Sequence, residues 1–125
     1  MKQKLIFVVD DNIMFAEMLS DHLKRNPAYE VMAFGTGEEC LENLYHEPDL
    51  IILDYYLNDV YKDAANGLEI LEEIRNKKLD PKVIMLSSQE RYAVAAKTIS
   101  KGARHYVIKN DQAFENIAKI LKDIF

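Results

Sequence analysis

Short apolar runs alternate with segments of helical spacing along the whole chain. Five runs have the length and the β-branched or aromatic content of strands: Leu5 to Val9, Tyr29 to Phe34, Leu50 to Leu53, Val83 to Leu86 and His105 to Ile108. Strands that are apolar on both faces are typical of parallel sheets covered by helices on either side. The pattern therefore predicts five buried parallel strands.

The segments between and after these runs predict five helices. Thr36 and Asn66 have the residue type that caps a helix, and Gly102 is suited to the position just after one. The predicted helices are Asn12 to Arg25, one from Thr36 through Leu44, one from Asn66 through Ile74, Glu90 to Lys101, and one from Asn110 or Asp111 to Ile124. Strands that alternate with helices predict an α/β fold, (βα)₅, with right-handed crossovers.

Length and charge narrow the class of protein. The chain has 125 residues, without an internal repeat or a Pro/Ser-rich linker, so we expect one domain over residues 1–125. Its net charge is −5, from 16 basic and 21 acidic residues, which argues against direct nucleic-acid binding by this domain. The sequence has neither a run of about 20 apolar residues nor a signal peptide. With Cys40 as the single cysteine, we expect a cytoplasmic protein that does not associate with membranes.

Charged residues stand directly after three of the predicted strands. Asp10 and Asp11 follow the first strand, Asp54 follows the third and Lys109 follows the fifth. Parallel strands end at one edge of the sheet, where open α/β folds place their sites. Three carboxylates at one edge repel each other unless a cation lies between them, and a hard divalent ion is the simplest candidate. The nearby lysine predicts an additional anionic ligand, such as a phosphoryl group.

Ser87 after the fourth strand and Tyr106 on the fifth complete a larger pattern. With Asp10, Asp11, Asp54 and Lys109, these residues make the chain resemble the receiver domain of a two-component response regulator, of the kind found in chemotaxis regulators, stand-alone or excised from a longer protein. The resemblance implies a flavodoxin-like doubly wound sheet with strand order 2-1-3-4-5. It also implies a domain that catalyses its own phosphorylation and autodephosphorylation and is not an enzyme in the usual sense.

The resemblance assigns a role to each residue of the site. Asp54 would accept a phosphoryl group from a histidine kinase or a phosphotransfer protein. Asp11, Asp54 and the backbone carbonyl of Tyr56 would ligate Mg²⁺, and Asp10 would hold the ion through water. The hydroxyl of Ser87 and the ammonium of Lys109 would each bind a phosphoryl oxygen. Phosphoryl transfer depends mainly on positioning and charge neutralisation, and each of these groups supplies one or the other.

The resemblance also implies a switch. Phosphorylation would draw in Ser87, Tyr106 would turn inward behind it, and the face of the fourth helix, fifth strand and fifth helix would change for a downstream protein partner. The residues that we place on this face are Arg91, Tyr92, Lys97, Tyr106, Lys119 and Lys122.

Two features depart from the family pattern. Asn110 replaces the proline that usually follows the lysine, so we expect a trans Lys109–Asn110 bond or strain. The loop from Leu57 to Asn66 is longer than usual and contains Asp59, Tyr61 and Asp63. A solvated surface loop is the simpler interpretation, because insertions in such loops cost little free energy. A lid or a partner-specific contact is the alternative.

The sequence is also compatible with other functions and with simpler roles for these residues. Asp11 could simply cap the first helix. Flavodoxin-like FMN binding would need a phosphate-binding loop after the first strand, where Asp10 and Asp11 would repel the ligand. A phosphohydrolase of the haloacid-dehalogenase type would need Asp-x-Asp there. A pseudo-receiver, a phosphorylation-independent interaction module, is the third alternative.

Overall fold

The computed structural model describes residues 2–58, 63–77, 80–88 and 92–125. It contains one sheet of five parallel strands in the order β2-β1-β3-β4-β5. The strands are β1 (Lys4–Val9), β2 (Tyr29–Phe34), β3 (Leu50–Asp54), β4 (Lys82–Ser87) and β5 (His105–Ile108). The predicted α/β class and the flavodoxin-like strand order are confirmed.

Each strand is followed by a helix. The helices are α1 (Ile13–Lys24), α2 (Gly37–Glu42), α3 (Gly67–Asn76), α4 (Tyr92–Ser100) and α5 (Ala113–Ile124). A 3₁₀ turn at Leu44–His46 replaces the end of the predicted second helix. The predicted start of the fourth helix at Glu90 lies outside the described residues.

Alternate residues of the strands supply two apolar cores, one on each face of the sheet. Ile6 and Val8 point to the face covered by α1 and α5, whereas Phe7 and Val9 point to the face covered by α2 and α3. All four of these side chains are buried. This arrangement explains why the strands are apolar on both faces: neither face of a central parallel strand is open to water.

Side-chain caps explain where several helices begin. Thr36 and Asn66 cap α2 and α3, as predicted. Thr36 Oγ1 accepts a hydrogen bond from the Glu39 backbone N–H, and Asn66 forms a capping box with Glu69. The predicted cap of the last helix is wrong. Gln112 is the N-cap of α5, and the side chain of Asn110 accepts from the Gln112 N–H just before the helix.

The two backbone expectations near the end of the chain are confirmed. No cis peptide bond occurs within the described ranges, so the Lys109–Asn110 bond is trans. Gly102, two residues after the end of α4, has a φ of +112°, a conformation that glycine adopts without a steric penalty.

The described ends of the long loop after β3 are anchored to the fold. Leu57 is fully buried in the core on the α2–α3 face. At the other end, the Ala65 N–H donates to the Glu38 carboxylate at 3.0 Å, which links the loop to the start of α2. Asp59 and Tyr61 lie outside the described residues. The choice between a solvated loop and a lid therefore stays a prediction.

Glu47 is strained, which leads to a prediction about stability. It is exposed and has a φ of +55°, a left-handed conformation that a non-glycine residue adopts only at a cost of about 1 kcal/mol. Glu47→Gly should therefore raise the free energy of unfolding by about 0.5 kcal/mol, after the larger chain entropy of unfolded glycine is subtracted. Urea denaturation would measure this change. Glu47→Ala keeps the strain and loses the charge, so an equal gain in that variant would contradict the backbone explanation.

Candidate functional site

The carboxyl ends of the strands bring the predicted site residues to one edge of the sheet. Val9, the last residue of β1, pairs with Leu53 of β3. Asp10 and Asp54 are the next residues along these two neighbouring strands. Lys109 directly follows β5. Parallel pairing therefore joins groups that are far apart in the sequence.

Asp10, Asp11 and Asp54 form a buried carboxylate cluster. One oxygen from each of the three lies within 4.8 Å of the others, and at most 7% of any of these residues is exposed. Carboxylate oxygens at this spacing suit a hard divalent cation. Mg²⁺ in particular keeps several waters when few carboxylates bind it. The donor set therefore fits the ion predicted from the sequence.

Lys109 places a positive charge beside this carboxylate cluster. Its Nζ lies 2.7 Å from Asp10 Oδ2 and 3.5 Å from Asp54 Oδ1, and only 16% of its side chain is exposed. The Lys109 backbone N–H donates to the Ser87 carbonyl at 2.7 Å, which fixes the end of β5 against β4. One ammonium cannot balance three carboxylates, so the cluster retains a surplus of negative charge.

The pKa of Asp54 reflects burial first and this surplus of negative charge second. Burial, with added repulsion from Asp10 and Asp11, raises the pKa of Asp54 to about 7. Lys109 and a hydrogen bond from the Tyr56 backbone N–H act in the opposite direction, but they do not outweigh burial. The site therefore favours binding of a proton or a metal cation near neutral pH.

Asn12 binds the Asp10 carboxylate and stands at the start of α1. Its backbone N–H donates to Asp10 Oδ1 at 2.9 Å, and its own side chain accepts from the Phe15 N–H at 3.1 Å. Asn12 is thus the N-cap of α1. The alternative that Asp11 caps this helix is wrong, and the Asp11 carboxylate belongs to the cluster instead.

Gly67 lies directly behind the phosphoacceptor candidate. A Cβ on Gly67 would lie 2.2 Å from the Asp54 carbonyl oxygen and 2.7 Å from the Tyr55 Cα. The Gly67 N–H donates to the Tyr55 carbonyl at 2.9 Å. The start of α3 therefore packs against the backbone that carries Asp54, and only glycine permits that distance.

A pocket of about 430 Å³ opens over the carboxylate cluster. Its lining residues are Asp11, Asn12, Ile13, Asp54, Tyr56, Ser88 and Lys109. Ser88 is exposed and lines the pocket, whereas the predicted Ser87 is fully buried at the end of β4. The interpretation of the sequence overlooked Ser88. Two consecutive serines at a strand end indicate that either hydroxyl could reach the pocket. Their order in the sequence does not show which of the two faces it.

A protein-family comparison agrees with this geometry. The model of the response regulator receiver domain matches residues 6–122, nearly the whole chain. The chain belongs to the response regulator receiver family. It is the receiver domain of a two-component system. This family membership does not support the alternatives of flavodoxin-like FMN binding and haloacid-dehalogenase chemistry.

Individual relatives agree with the family. The chain is 31% identical over 110 residues to the Bacillus subtilis protein "Probable C4-dicarboxylate response regulator DctR", covering 86% of this chain and 46% of that protein. The response regulator domain of Thermotoga maritima CheB is 27% identical, with a TM-score of 0.79 over 98% of this chain and 92% of that domain. Thermotoga maritima DrrB, described as an OmpR/PhoB homolog, is also 27% identical, with a TM-score of 0.81 over 96% of this chain and 51% of that protein. This chain thus spans about half the length of DctR and of DrrB.

The predicted switch residue of the receiver domain lies beside a surface groove. Tyr106 is half-buried on β5 and packs against the core on the α2–α3 face. The groove has a volume of about 410 Å³ between β5 and α5. Its lining residues are Tyr106, Val107, Ile108, Asn110, Asn116, Lys119 and Ile120. Tyr106 and Lys119 are therefore neighbours on one surface, as the interpretation of the sequence placed them.

The other residues assigned to this face are distributed differently. Lys97 is exposed on α4. Lys122 lines a second groove, between α1 and α5, together with His22 and Arg25. The position of Lys122 in this second groove does not support the prediction that it shares a surface with Tyr106. Arg91 and the side chain of Tyr92 lie outside the described residues.

Helix α1 has an exposed apolar surface close to the pocket of the receiver domain. Ile13, Met14 and Met18 are 61%, 71% and 56% exposed, and Ile13 also lines the pocket. The amphipathic spacing of α1 did not reveal this surface, because period alone does not distinguish an apolar residue that faces the core from one at the margin.

No helix within the described ranges is long and apolar enough to cross a membrane.

Proposed function

We propose that this receiver domain accepts a phosphoryl group on Asp54 from a phosphohistidine of a histidine kinase or a phosphotransfer protein. The observation that carries the proposal is the position of Asp54. Its carboxylate lines the pocket, has an oxygen within 4.8 Å of oxygens of Asp10 and Asp11, and lies 3.5 Å from the ammonium of Lys109. This arrangement combines a nucleophile with the charges needed to bind a phosphoryl group.

In the proposed step, a carboxylate oxygen of Asp54 attacks phosphorus and forms an acyl phosphate. The bond between phosphorus and the donor imidazole nitrogen breaks, and its electron pair stays on that nitrogen. Carboxylate attack releases no proton, so the step needs no general base. An ionised Asp54 is required, and Lys109 favours that form because it lowers the pKa of Asp54.

The carboxylate cluster would hold Mg²⁺ in this reaction. Asp11, Asp54 and the Tyr56 carbonyl would bind the ion directly, and Asp10 would bind it through water. When bound, Mg²⁺ would neutralise charge on the phosphoryl oxygens. Lys109 would then exchange part of its pairing with Asp10 for a phosphoryl oxygen.

The second ligand of the phosphoryl group, a hydroxyl at the end of β4, is the subject of a prediction. We propose Ser87 for this role, in keeping with the family pattern. Ser88, which lines the pocket, is the competing hydroxyl. Ser87→Ala should slow phosphorylation by phosphoramidate about a hundredfold, which is the usual effect of losing one such donor, whereas Ser88→Ala should change it less than twofold. Stopped reactions analysed by intact-mass spectrometry would give both rates, and the reverse order would assign the role to Ser88.

The output surface follows from the same site. Movement of the β4 end toward the phosphoryl group would vacate space for Tyr106, and the surface of α4, β5 and α5 would change for a downstream protein partner. The groove beside Tyr106 and Lys119 is the part of this surface that the described residues support best.

The proposal also covers the scope of the domain. Residues 1–125 would act as one receiver domain in the cytoplasm, without direct contact to nucleic acid. The domain would catalyse its own phosphorylation and autodephosphorylation, with its own side chain as the substrate, and so would not be an enzyme in the usual sense.

Intact-mass spectrometry after incubation with phosphoramidate would test the proposal. We expect one phosphoryl group in the presence of Mg²⁺, none with EDTA, and release of the group by hydroxylamine, which cleaves acyl phosphates. Absence of the group with phosphoramidate, acetyl phosphate and a panel of phosphorylated histidine kinases would favour the pseudo-receiver alternative.

A further inference from the structure

The ammonium of Lys109 has a third neighbour besides the two carboxylates. Its Nζ lies 4.6 Å from the centroid of the Phe15 ring, over the ring face. The contact is largely shielded from water, because only 16% of the Lys109 side chain is exposed. A cation over an aromatic face is attracted by the ring quadrupole, and the attraction increases with desolvation.

The Phe15 ring on α1 is itself held in place by a ring on α5. Phe114 of α5 packs against Phe15 in an edge-to-face contact with 5.5 Å between ring centroids. Both rings are half-buried against the core on the α1–α5 face. The orientation of the ring face toward Lys109 therefore depends on how α1 and α5 pack.

We propose that Phe15 is a positioning residue for Lys109: its ring holds the ammonium against Asp10 and Asp54, and Phe114 holds that ring. Phe15 is not among the residues that line the pocket, so we expect it to act on the site through Lys109. This inference rests on the proposed function, since it assigns a role within the same phosphorylation site.

The position of Lys109 controls how readily the carboxylate cluster binds a metal ion. Lys109 Nζ forms an ion pair with Asp10 Oδ2 at 2.7 Å. Its positive charge repels any second cation near that oxygen. Mg²⁺ must therefore displace or tolerate this ammonium. A ring that holds Lys109 in place should weaken Mg²⁺ binding, and loss of the ring face should strengthen it.

A double-mutant cycle on Mg²⁺ affinity tests this coupling. The variants are Phe15→Leu, which keeps apolar volume without the ring face, Lys109→Ala, and the two combined. Calorimetry with MgCl₂ alone would give the four dissociation constants. We expect Phe15→Leu to lower the constant about threefold in the wild-type background and to leave it unchanged in the Lys109→Ala background.

Two further variants separate the ring face from general packing. Phe15→Tyr keeps an aromatic face and should retain the wild-type constant. Phe125→Leu is a matched control at the opposite edge of the sheet, where the Phe125 ring has Lys4 Nζ at 5.3 Å and Lys82 Nζ at 5.6 Å. It removes a similar aromatic contact with lysine and should not change Mg²⁺ affinity.

Each outcome identifies which proposal fails. If Phe15→Leu changed Mg²⁺ affinity equally in both backgrounds, Phe15 would act through packing and the positioning role would be refuted. No change in either background would refute it as well. Failure of the wild-type protein to bind Mg²⁺ or to accept a phosphoryl group would instead refute the proposed function.

Discussion

Asp54→Asn is expected to abolish phosphorylation and, at the same time, to stabilise the metal-free domain near pH 8. The first effect follows from the loss of the nucleophilic oxygen, since an amide does not form the acyl phosphate. The second follows from burial, which raises the pKa of Asp54 to about 7 from a usual value of 3.8. A buried carboxylate with a raised pKa destabilises the fold whenever it is ionised.

The sign and the pH range of this effect follow from proton linkage. Below about pH 4, Asp54 is protonated in both the folded and the unfolded chain, so it carries no penalty. Between about pH 4 and pH 7 the unfolded chain loses this proton first, and the stability of the folded state falls as pH rises. Above pH 7 the full penalty is present, at most about 4 kcal/mol for such a shift. We expect Asp54→Asn to recover roughly half of this penalty. The rest is offset because Lys109 loses its ion pair with Asp54 in the variant.

Urea denaturation in EDTA at pH 4 and pH 8 would measure this change, beside phosphorylation by phosphoramidate. Wild-type stability should gain from Mg²⁺ at pH 8, and the Asp54→Asn variant should gain less. Asp63→Asn is the matched control, because Asp63 is exposed in the loop after β3. It should keep both phosphorylation and stability. Phosphorylation of Asp54→Asn at the wild-type level would place the acceptor elsewhere.

Gly67→Ala is expected to lower the free energy of unfolding by about 1–3 kcal/mol and to slow phosphorylation. The added Cβ would meet the Asp54 carbonyl oxygen at 2.2 Å and the Tyr55 Cα at 2.7 Å. Both are backbone atoms, so the overlap cannot be relieved by rotating a side chain, and either α3 or the end of β3 must move. Movement of β3 would displace the Asp54 carboxylate from the acidic pair and Lys109.

Gly35→Ala provides the control for this prediction. A Cβ on Gly35 would have no heavy atom within 4 Å. This substitution should therefore leave stability within about 0.5 kcal/mol of the wild type, or raise it slightly by reducing the entropy of the unfolded chain. Thermal and urea unfolding would compare the stabilities of the Gly35→Ala and Gly67→Ala variants, and phosphoramidate would be used to compare their rates of phosphorylation. Equal effects of Gly35→Ala and Gly67→Ala would contradict the close contact between α3 and Asp54.

Local sequence patterns were sufficient for most of the fold. Each apolar run became a strand of the sheet, because the periods of strands and helices are local properties that burial reinforces. Helix ends were predicted less well. The cap of α5 lies at Gln112 rather than at Asn110 or Asp111, because several polar residues in a row offer alternative hydrogen bonds and packing selects among them.

The members of the carboxylate cluster were predicted from the sequence, but their contacts were not. Asp10, Asp11 and Asp54 come together as expected, since parallel strands of similar length must end at one edge. The pairing of Lys109 with Asp10, and the presence of Ser88 rather than Ser87 on the pocket wall, could not be predicted in the same way. Both depend on the directions of side chains from different strands.

The sequence alone therefore determined the order of elements, the parallel sheet and the set of charged residues at its edge. Only the tertiary structure decided that Phe15 lies under Lys109, that Gly67 touches the backbone of Asp54, and that Lys122 lies in a different groove from Tyr106. The physical reason is range. Period, capping and strand burial act between residues close in the chain, whereas these contacts depend on how helices separated by many residues pack on the sheet.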